Sequence, residues 1–155
     1  GDWSKDRLIP DLIRAIVKKQ AVQIRNPDSI RPWQHVLDCL YAYLLIGSKL
    51  LEGDIKVARA WNVAPEEHEI FSVRALLMQC KSHWNDVEFE LAESLNQPHE
   101  AGLLMLDASK LISELEWKPK IGTSEAVELT IKWYKKYYLE NEVSSFDQVD
   151  YYFEL

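Results

Sequence analysis

Glycine is scarce in this sequence, and no glycine-rich phosphate-binding motif is present. The chain has 5 glycines. Their spacing matches neither the GxGxxG of a dinucleotide-binding loop nor the GxxxxGK[ST] of a P-loop. No tyrosine is followed four positions later by a lysine, so a Tyr-x-x-x-Lys base is missing as well. We therefore expect this chain by itself neither to bind NAD nor to contain a catalytic residue.

Metal-ligand spacing is also absent. The 4 histidines and 2 cysteines form neither HExxH nor CxxC. The run Glu-Glu-His-Glu at 66–69 could be read as a metal site, but consecutive residues converge poorly on one ion, which favours a solvated loop. Cys39 and Cys80 lie in apolar stretches, where a buried small hydrophobe is the default interpretation. We expect no metal, and a reducing, cytoplasmic location.

The chain has no excess of positive charge and no long hydrophobic run. It has 18 lysines and arginines against 25 acidic residues, a net charge of -7, which argues against nucleic acid as a partner. An anionic ligand would have to be held by a few local arginines. The most apolar run, 36–51, is too short to span a bilayer and includes Asp38 and Lys49. It predicts a buried core helix and no membrane association.

Hydrophobic periodicity indicates a mixed, α-rich α/β fold. The predicted helices cover 7–20, 35–51, 72–84, 107–117 and 123–141, and the predicted extended segments cover 21–25, 30–33, 57–63 and 87–91. Ser72, Asp107 and either Thr123 or Ser124 are expected to cap helices. Trp84, Trp117 and Trp133 are assigned to the core, and Tyr134, Tyr137 and Tyr138 to helix packing. The acidic, aromatic tail 143–155 receives no assignment.

Several short motifs carry a resemblance that periodicity does not. They are GDWSKDRLIP at 1–10, IRNP at 24–27, RPWQHV at 31–36, PHEA at 98–101, LDASK at 106–110 and LEWKP at 115–119. In this order and spacing they resemble the CDP-glucose 4,6-dehydratases, a family of extended short-chain dehydrogenases/reductases. Two positions depart from that pattern: WNVAP at 61–65 stands where the family usually has WNFGP, and Glu116 stands where it usually has glycine.

The resemblance implies an NAD-dependent lyase that converts CDP-glucose to CDP-4-keto-6-deoxyglucose. In that family the Rossmann half and the catalytic Tyr-Lys pair lie upstream of the GDW stretch. The expected fold is therefore the C-terminal substrate-binding part of an extended short-chain dehydrogenase/reductase, without the Rossmann half. We expect residues 1–142 to form the nucleotide-sugar-binding domain, residues 143–155 to form a tail, and a Rossmann half to be the partner.

The resemblance also indicates substrate-binding residues. They are Arg31, Arg7, Leu8, Trp3, Trp33, Arg25, His99 and Glu100. A guanidinium at Arg31 suits a diphosphate because its donors form a planar fork. Arg7 opens a helix whose N–H groups would assist phosphate binding, and Leu8 would pack beside the nucleotide. Alternatives stay open: the two tryptophans as core, Arg25 as a strand-edge charge, and His99 and Glu100 as solvated loop charges rather than contacts to ribose or cytosine.

Two other functions remain open from the sequence. The chain could be a non-catalytic nucleotide-sugar-binding or interaction module, or part of a related epimerase or reductase with another base preference. The helix at 36–51 is apolar on nearly every side, and such a helix must be covered all round. We therefore expect the isolated chain to form a homo-oligomer.

Overall fold

The protein is described by a computed structural model over residues 2–65, 70–92 and 101–155. Helices and short strands alternate along these ranges. In chain order they are α1 (Leu8–Val17), β1 (Val22–Ile24), β2 (Ile30–Arg31), α2 (Val36–Leu51), a 3₁₀ turn (Ile55–Val57), β3 (Phe71–Ser72), α3 (Val73–His83), β4 (Phe89–Leu91), α4 (Ser109–Leu115), α5 (Thr123–Lys135), a π-helix (Lys136–Glu140) and α6 (Ser145–Glu154).

The strands form two small sheets rather than one large one. β1 pairs with β4 in parallel, with Val22 opposite Phe89 and Ile24 opposite Leu91. β2 pairs with β3 in the antiparallel sense, and Ile30 also forms a parallel bridge with Leu103. The predicted α-rich, mixed α/β class is confirmed. The described residues contain no multi-stranded parallel sheet of the Rossmann type.

A main core lies between α1, α3, α5 and β1. Its buried members are Leu12, Ile13, Ile16, Val22, Ile24, Leu76, Leu77, Cys80, Trp84, Val87, Val127, Ile131, Trp133 and Tyr134. On each helix these residues recur three or four positions apart, so one face of the helix is apolar and packs inward. Trp84, Trp117 and Trp133 are buried, as predicted. Burial raises the pKa of Cys80 to about 12, so this thiol is a hydrophobic packing group.

The predicted helix starts are partly correct. The Ser72 hydroxyl accepts a hydrogen bond from the Ala75 amide at 3.2 Å and caps α3 as expected. Asp107 accepts from the Ser109 amide at 2.8 Å, but the N-cap position of α4 is Ala108. The N-cap position of α5 is Gly122, so the prediction of a cap at Thr123 or Ser124 is wrong. The Thr123 hydroxyl donates instead to the distant main-chain carbonyl of Trp33 at 3.3 Å.

The predicted strand at 57–63 is wrong. The chain makes a 3₁₀ turn at Ile55–Val57 and then runs irregularly. A strand needs a neighbour for its amide and carbonyl groups, and no strand in the described ranges pairs with this segment. Side chains bind its carbonyls instead: Gln34 donates to Val63 at 3.0 Å and Lys110 donates to Ala60 at 2.9 Å.

The tail without a sequence-based assignment forms helix α6. Its Gln148 amide donates to the Leu129 carbonyl at 2.8 Å, and the Trp133 indole donates to the Ser145 hydroxyl at 2.9 Å. Tyr152 is only 2% exposed and packs with Ile121 and Ala126. The tail therefore packs against α5 as an integral part of the folded chain.

Helix α2 is covered on one side only, so the prediction of a fully buried helix is wrong for the described chain. Only Asp38 and Ala42 are buried along it. The opposite side exposes an apolar stripe, here defined as Val36, Leu40, Tyr43, Leu44, Leu50 and Leu51, of which Leu51 is 93% exposed. A Cβ added to Gly47, between these residues, would meet no atom within 4 Å. No helix in the described part of the chain is both long and apolar enough to cross a membrane.

Glu116 ends α4 in an unusual backbone conformation. Its φ is 54° and its ψ 21°, which is the left-handed region that glycine adopts without cost. The position where the resembling family usually has glycine thus keeps a glycine-like geometry, although the residue is glutamate. Because glutamate carries a Cβ, this conformation costs energy here that glycine would not incur.

Candidate functional site

The carboxyl ends of β1 and β4 lie at the same edge of the parallel pair. Ile24 and Leu91 are opposite each other, and the Ala92 amide donates to the Ile24 carbonyl at 2.9 Å. Arg25 follows β1 directly, and residues 93–100 follow β4. Helix α1 connects to β1 through residues 18–21 and packs against it. Ligands of α/β proteins bind at such carboxyl ends.

Arg31 is held beside the segment that follows residues 93–100. Its Nη1 donates to the carbonyls of Ile30 at 2.8 Å and Ala101 at 2.9 Å. The main chain is tied there too, because the Ile30 amide donates to the Gly102 carbonyl at 2.8 Å. The half-buried guanidinium therefore has a fixed position next to the end of the PHEA motif.

Arg7 occupies the N-cap position of α1. Its backbone is extended, and its side chain makes no capping hydrogen bond to the helix. Leu8 is half-buried against the main core. The Asp2 carboxylate lies nearby: hydrogen bonds from Ser4 hold the pKa of Asp2 below its usual value, and the charge of Arg7 lowers it further. The helix start thus offers backbone donors and one exposed cation.

Trp3 and Trp33 both make contacts within the protein. Trp3 is 44% exposed and belongs to an aromatic cluster with side chains of α5 and of the π-helix that follows it, namely Trp133, Tyr134, Tyr137 and Tyr138. The Trp33 indole donates to the Phe71 carbonyl at 2.9 Å. These contacts favour the packing alternative for both tryptophans and for the tyrosine group. Contact with a ligand stays a prediction.

The predicted positions His99 and Glu100 lie outside the described residues. Their flanks are described, at Ala92 and Ala101. Both flanks are fixed, one by β1 and the other by Arg31. Of the sequence-predicted arginines, Arg25 directly follows the carboxyl end of β1, and Arg31 contacts Ala101.

Two buried polar residues behind Arg31 were not among the predicted site residues. His35 sits at the N-cap of α2, where its Nδ1 accepts from the Leu37 amide at 3.4 Å. Burial lowers the pKa of His35, and the nearby Asp38 partly opposes that shift. Asp38 is fully buried inside α2. A carboxylate within an otherwise apolar helix is the sequence signal that could have identified it.

Metal-binding clusters are not found in the described ranges, where no three His, Cys, Asp or Glu side chains come together. The β1–β4 pair also lacks the features of a dinucleotide site. β1 is followed by Arg25-Asn26-Pro27 rather than by a glycine-rich turn that opens a helix.

This architecture is that of the C-terminal part of an extended short-chain dehydrogenase/reductase. The UDP-glucuronic acid 4-epimerase of Bacillus cereus, in a complex with UDP-glucuronic acid and NAD, superposes with a TM-score of 0.68 and 17% identity, over 84% of this chain and 40% of that one. The dTDP-glucose 4,6-dehydratase of Bacillus anthracis, in complex with NAD, gives a TM-score of 0.63 and 18% identity, over 84% of this chain and 39% of that one.

The sequence identifies the family within that class. Residues 4–130 match the model of the GDP-mannose 4,6 dehydratase family, and the chain belongs to this family. It is 41% identical over 135 residues to the CDP-glucose 4,6-dehydratase of Salmonella typhimurium strain LT2. That match covers 87% of this chain and 38% of the relative, so the chain spans well under half of the relative's length.

Proposed function

We propose that this chain forms the nucleotide-sugar-binding side of a 4,6-dehydratase that converts CDP-glucose to CDP-4-keto-6-deoxyglucose. The observation that carries the proposal is the fixed guanidinium of Arg31 beside Ala101, in a chain that retains the RPWQHV and PHEA motifs. The 41% identity to a CDP-glucose 4,6-dehydratase supports the choice of substrate. The chain alone is inactive in this proposal because it supplies no Tyr-x-x-x-Lys base.

In the proposed binding mode, different residues bind the diphosphate, bind the cytosine and ribose, and provide apolar contacts. The fork of donors on Arg31 binds the diphosphate, with Arg7 and the first amides of α1 adding charge and N–H donors. Arg25, which directly follows β1, contributes a second cation. Glu100 accepts from the cytosine amine or a ribose hydroxyl, and His99 contacts the ribose. Leu8, Trp3 and Trp33 provide the apolar surface.

NAD belongs in this proposal to a Rossmann half, which is the partner of the chain. The chain does not fit the cofactor, since it has no glycine-rich loop after a strand. One feature supports a partner: the exposed apolar stripe of α2. A protein surface that exposes many neighbouring apolar side chains is typical of an interface.

Calorimetry with CDP and CDP-glucose tests the proposal. We expect weak binding, because one side of the cleft is absent, and a loss of about 1.5–3 kcal/mol in Arg31→Ala, the range for a hydrogen bond to a charged group. Arg59→Ala is the matched control, since Arg59 is an exposed arginine paired with Glu114. Unchanged CDP affinity in Arg31→Ala would remove Arg31 from the site.

Two competing functions are separated by simple measurements. Competition with UDP, dTDP and GDP sugars tests the alternative of a related epimerase or reductase, because a cytidine site prefers CDP. The alternative of a non-catalytic binding module predicts that no Rossmann partner restores activity. Turnover of CDP-glucose after mixing with a Rossmann half of a homologous dehydratase would contradict that module.

A further inference from the structure

The C-terminal helix α6 contributes a tyrosine to a buried network behind the segment that carries Arg31. The fully buried Asp38 carboxylate accepts from the Tyr152 hydroxyl at 2.9 Å and from the amides of Lys120 at 2.9 Å and Ile121 at 3.4 Å. Burying a carboxylate is costly unless donors surround it. These donors therefore fix the relative positions of α2, the turn before α5, and α6.

The first residue of α5, which follows this turn, also contacts the segment that carries Arg31. Thr123 Oγ1 donates to the Trp33 carbonyl at 3.3 Å. The Trp33 amide donates to the Arg31 carbonyl at 2.9 Å, so the backbone makes a tight turn from Arg31 to Trp33. Residues 120–123 thus contact the segment 31–38 at Trp33 and at Asp38.

Tyr152 contacts both Asp38 and Lys120. Besides its bond to Asp38, its main-chain carbonyl accepts from Lys120 Nζ at 3.2 Å, and the same ammonium lies 5.0 Å from the centre of the Tyr152 ring. Burial raises the pKa of Tyr152, and the bond to Asp38 raises it further, so the hydroxyl remains a donor at neutral pH. Removing the hydroxyl alone leaves the ring and two amide donors in place.

We propose that Tyr152 is a positioning residue for the nucleotide-sugar site. Its hydroxyl binds Asp38 and its main-chain carbonyl binds Lys120, so it holds α6 against the direct contact between Asp38 and the turn before α5. Residues 120–123 in turn contact Trp33 and, through it, Arg31. This inference rests on the proposed diphosphate-binding role of Arg31. It makes α6 part of the binding unit, although α6 itself does not touch the ligand.

The test compares two tyrosine variants by CDP calorimetry. Tyr152→Phe should weaken CDP binding about 3- to 10-fold, the scale of coupling through contacting residues. Tyr151→Phe removes the same atom from the neighbouring tyrosine, whose hydroxyl contacts Glu125 on the surface, and should bind CDP as the wild type does. Cys80→Ala, in the main core on α3, controls for loss of stability alone. The Trp33 indole N–H should also exchange with solvent faster in Tyr152→Phe only.

The outcomes separate this inference from the proposed function. If Arg31→Ala weakens CDP binding but Tyr152→Phe leaves both binding and Trp33 exchange unchanged, the inference is overturned. Equal weakening by Cys80→Ala also overturns it, since stability would then explain the effect. If Arg31→Ala has no effect, the proposed function fails, and Trp33 exchange still tests the network. Lys120→Met removes the bond from Lys120 Nζ to the Tyr152 carbonyl, a second contact of α6 with this turn, and replaces Tyr152→Phe if that variant does not fold.

Discussion

Helices α1 and α2 differ in how much of their apolar surface the chain itself buries. α1 is amphipathic, and its apolar residues Leu12, Ile13 and Ile16 are buried by other parts of the same chain. α2 is apolar nearly all round, and the chain covers only the side that contains Asp38 and Ala42. The main core is therefore complete within the described residues, whereas the packing of α2 is not. The difference locates the surface that a partner would cover.

The comparison predicts very different costs for one substitution made in the two regions. Leu77→Ala in the main core should lower the free energy of unfolding by about 2–5 kcal/mol, because it leaves a cavity. Leu44→Ala on the apolar stripe should change it by less than about 0.5 kcal/mol in dilute solution. Urea denaturation of both variants measures the difference. Equal costs would show that the stripe is covered within the monomer.

Association is the second way to test the comparison. The apolar stripe should make the isolated chain self-associate, as a symmetric dimer in which the same surface is used twice. Leu44→Glu should shift the chain toward monomer, because it places a charge within the stripe, while Met78→Glu, at an exposed apolar residue of α3, should not. Light scattering across a dilution series is the measurement. A compact wild-type monomer at every concentration would contradict the prediction.

The smallest expected effect is at the end of α4. Glu116→Gly should raise the free energy of unfolding by about 1 kcal/mol, since glycine adopts the left-handed conformation without the penalty of a Cβ. Asn141→Gly, at another left-handed helix end, is the control and should gain less, because asparagine tolerates this region. Thermal unfolding compares the two. A loss of stability in Glu116→Gly would indicate that the glutamate side chain makes a compensating contact.

The sequence predicted the elements whose pattern reflects contacts inside the chain. α1 and α3 were recognisable because their buried residues recur at helical spacing. The strand at 57–63 was wrong because strand formation depends on a neighbouring strand, which local periodicity does not specify. Helix α6 was missed because much of it is acidic and exposed, and Tyr152 is its one buried residue. Thr123 was assigned to a cap because its long-range bond to Trp33 leaves no local signal.

The candidate site came from motifs rather than from periodicity. Arg31 was selected because of RPWQHV, and the structure adds the contact to Ala101 that holds it. From the sequence alone, Asp38 is recognisable only as a polar residue within the apolar run 36–51. Its role depends on residues more than 80 positions away in the sequence, at Lys120 and Tyr152, which only the folded chain brings together.

The apolar stripe has a consequence for how solutions of this chain respond to salt. With a net charge of -7, copies repel one another at a distance, whereas contact between stripes is attractive and carries no charge. Added salt screens the repulsion and leaves the hydrophobic attraction intact. Association should therefore strengthen as ionic strength rises, which is the opposite of an interface held by ion pairs.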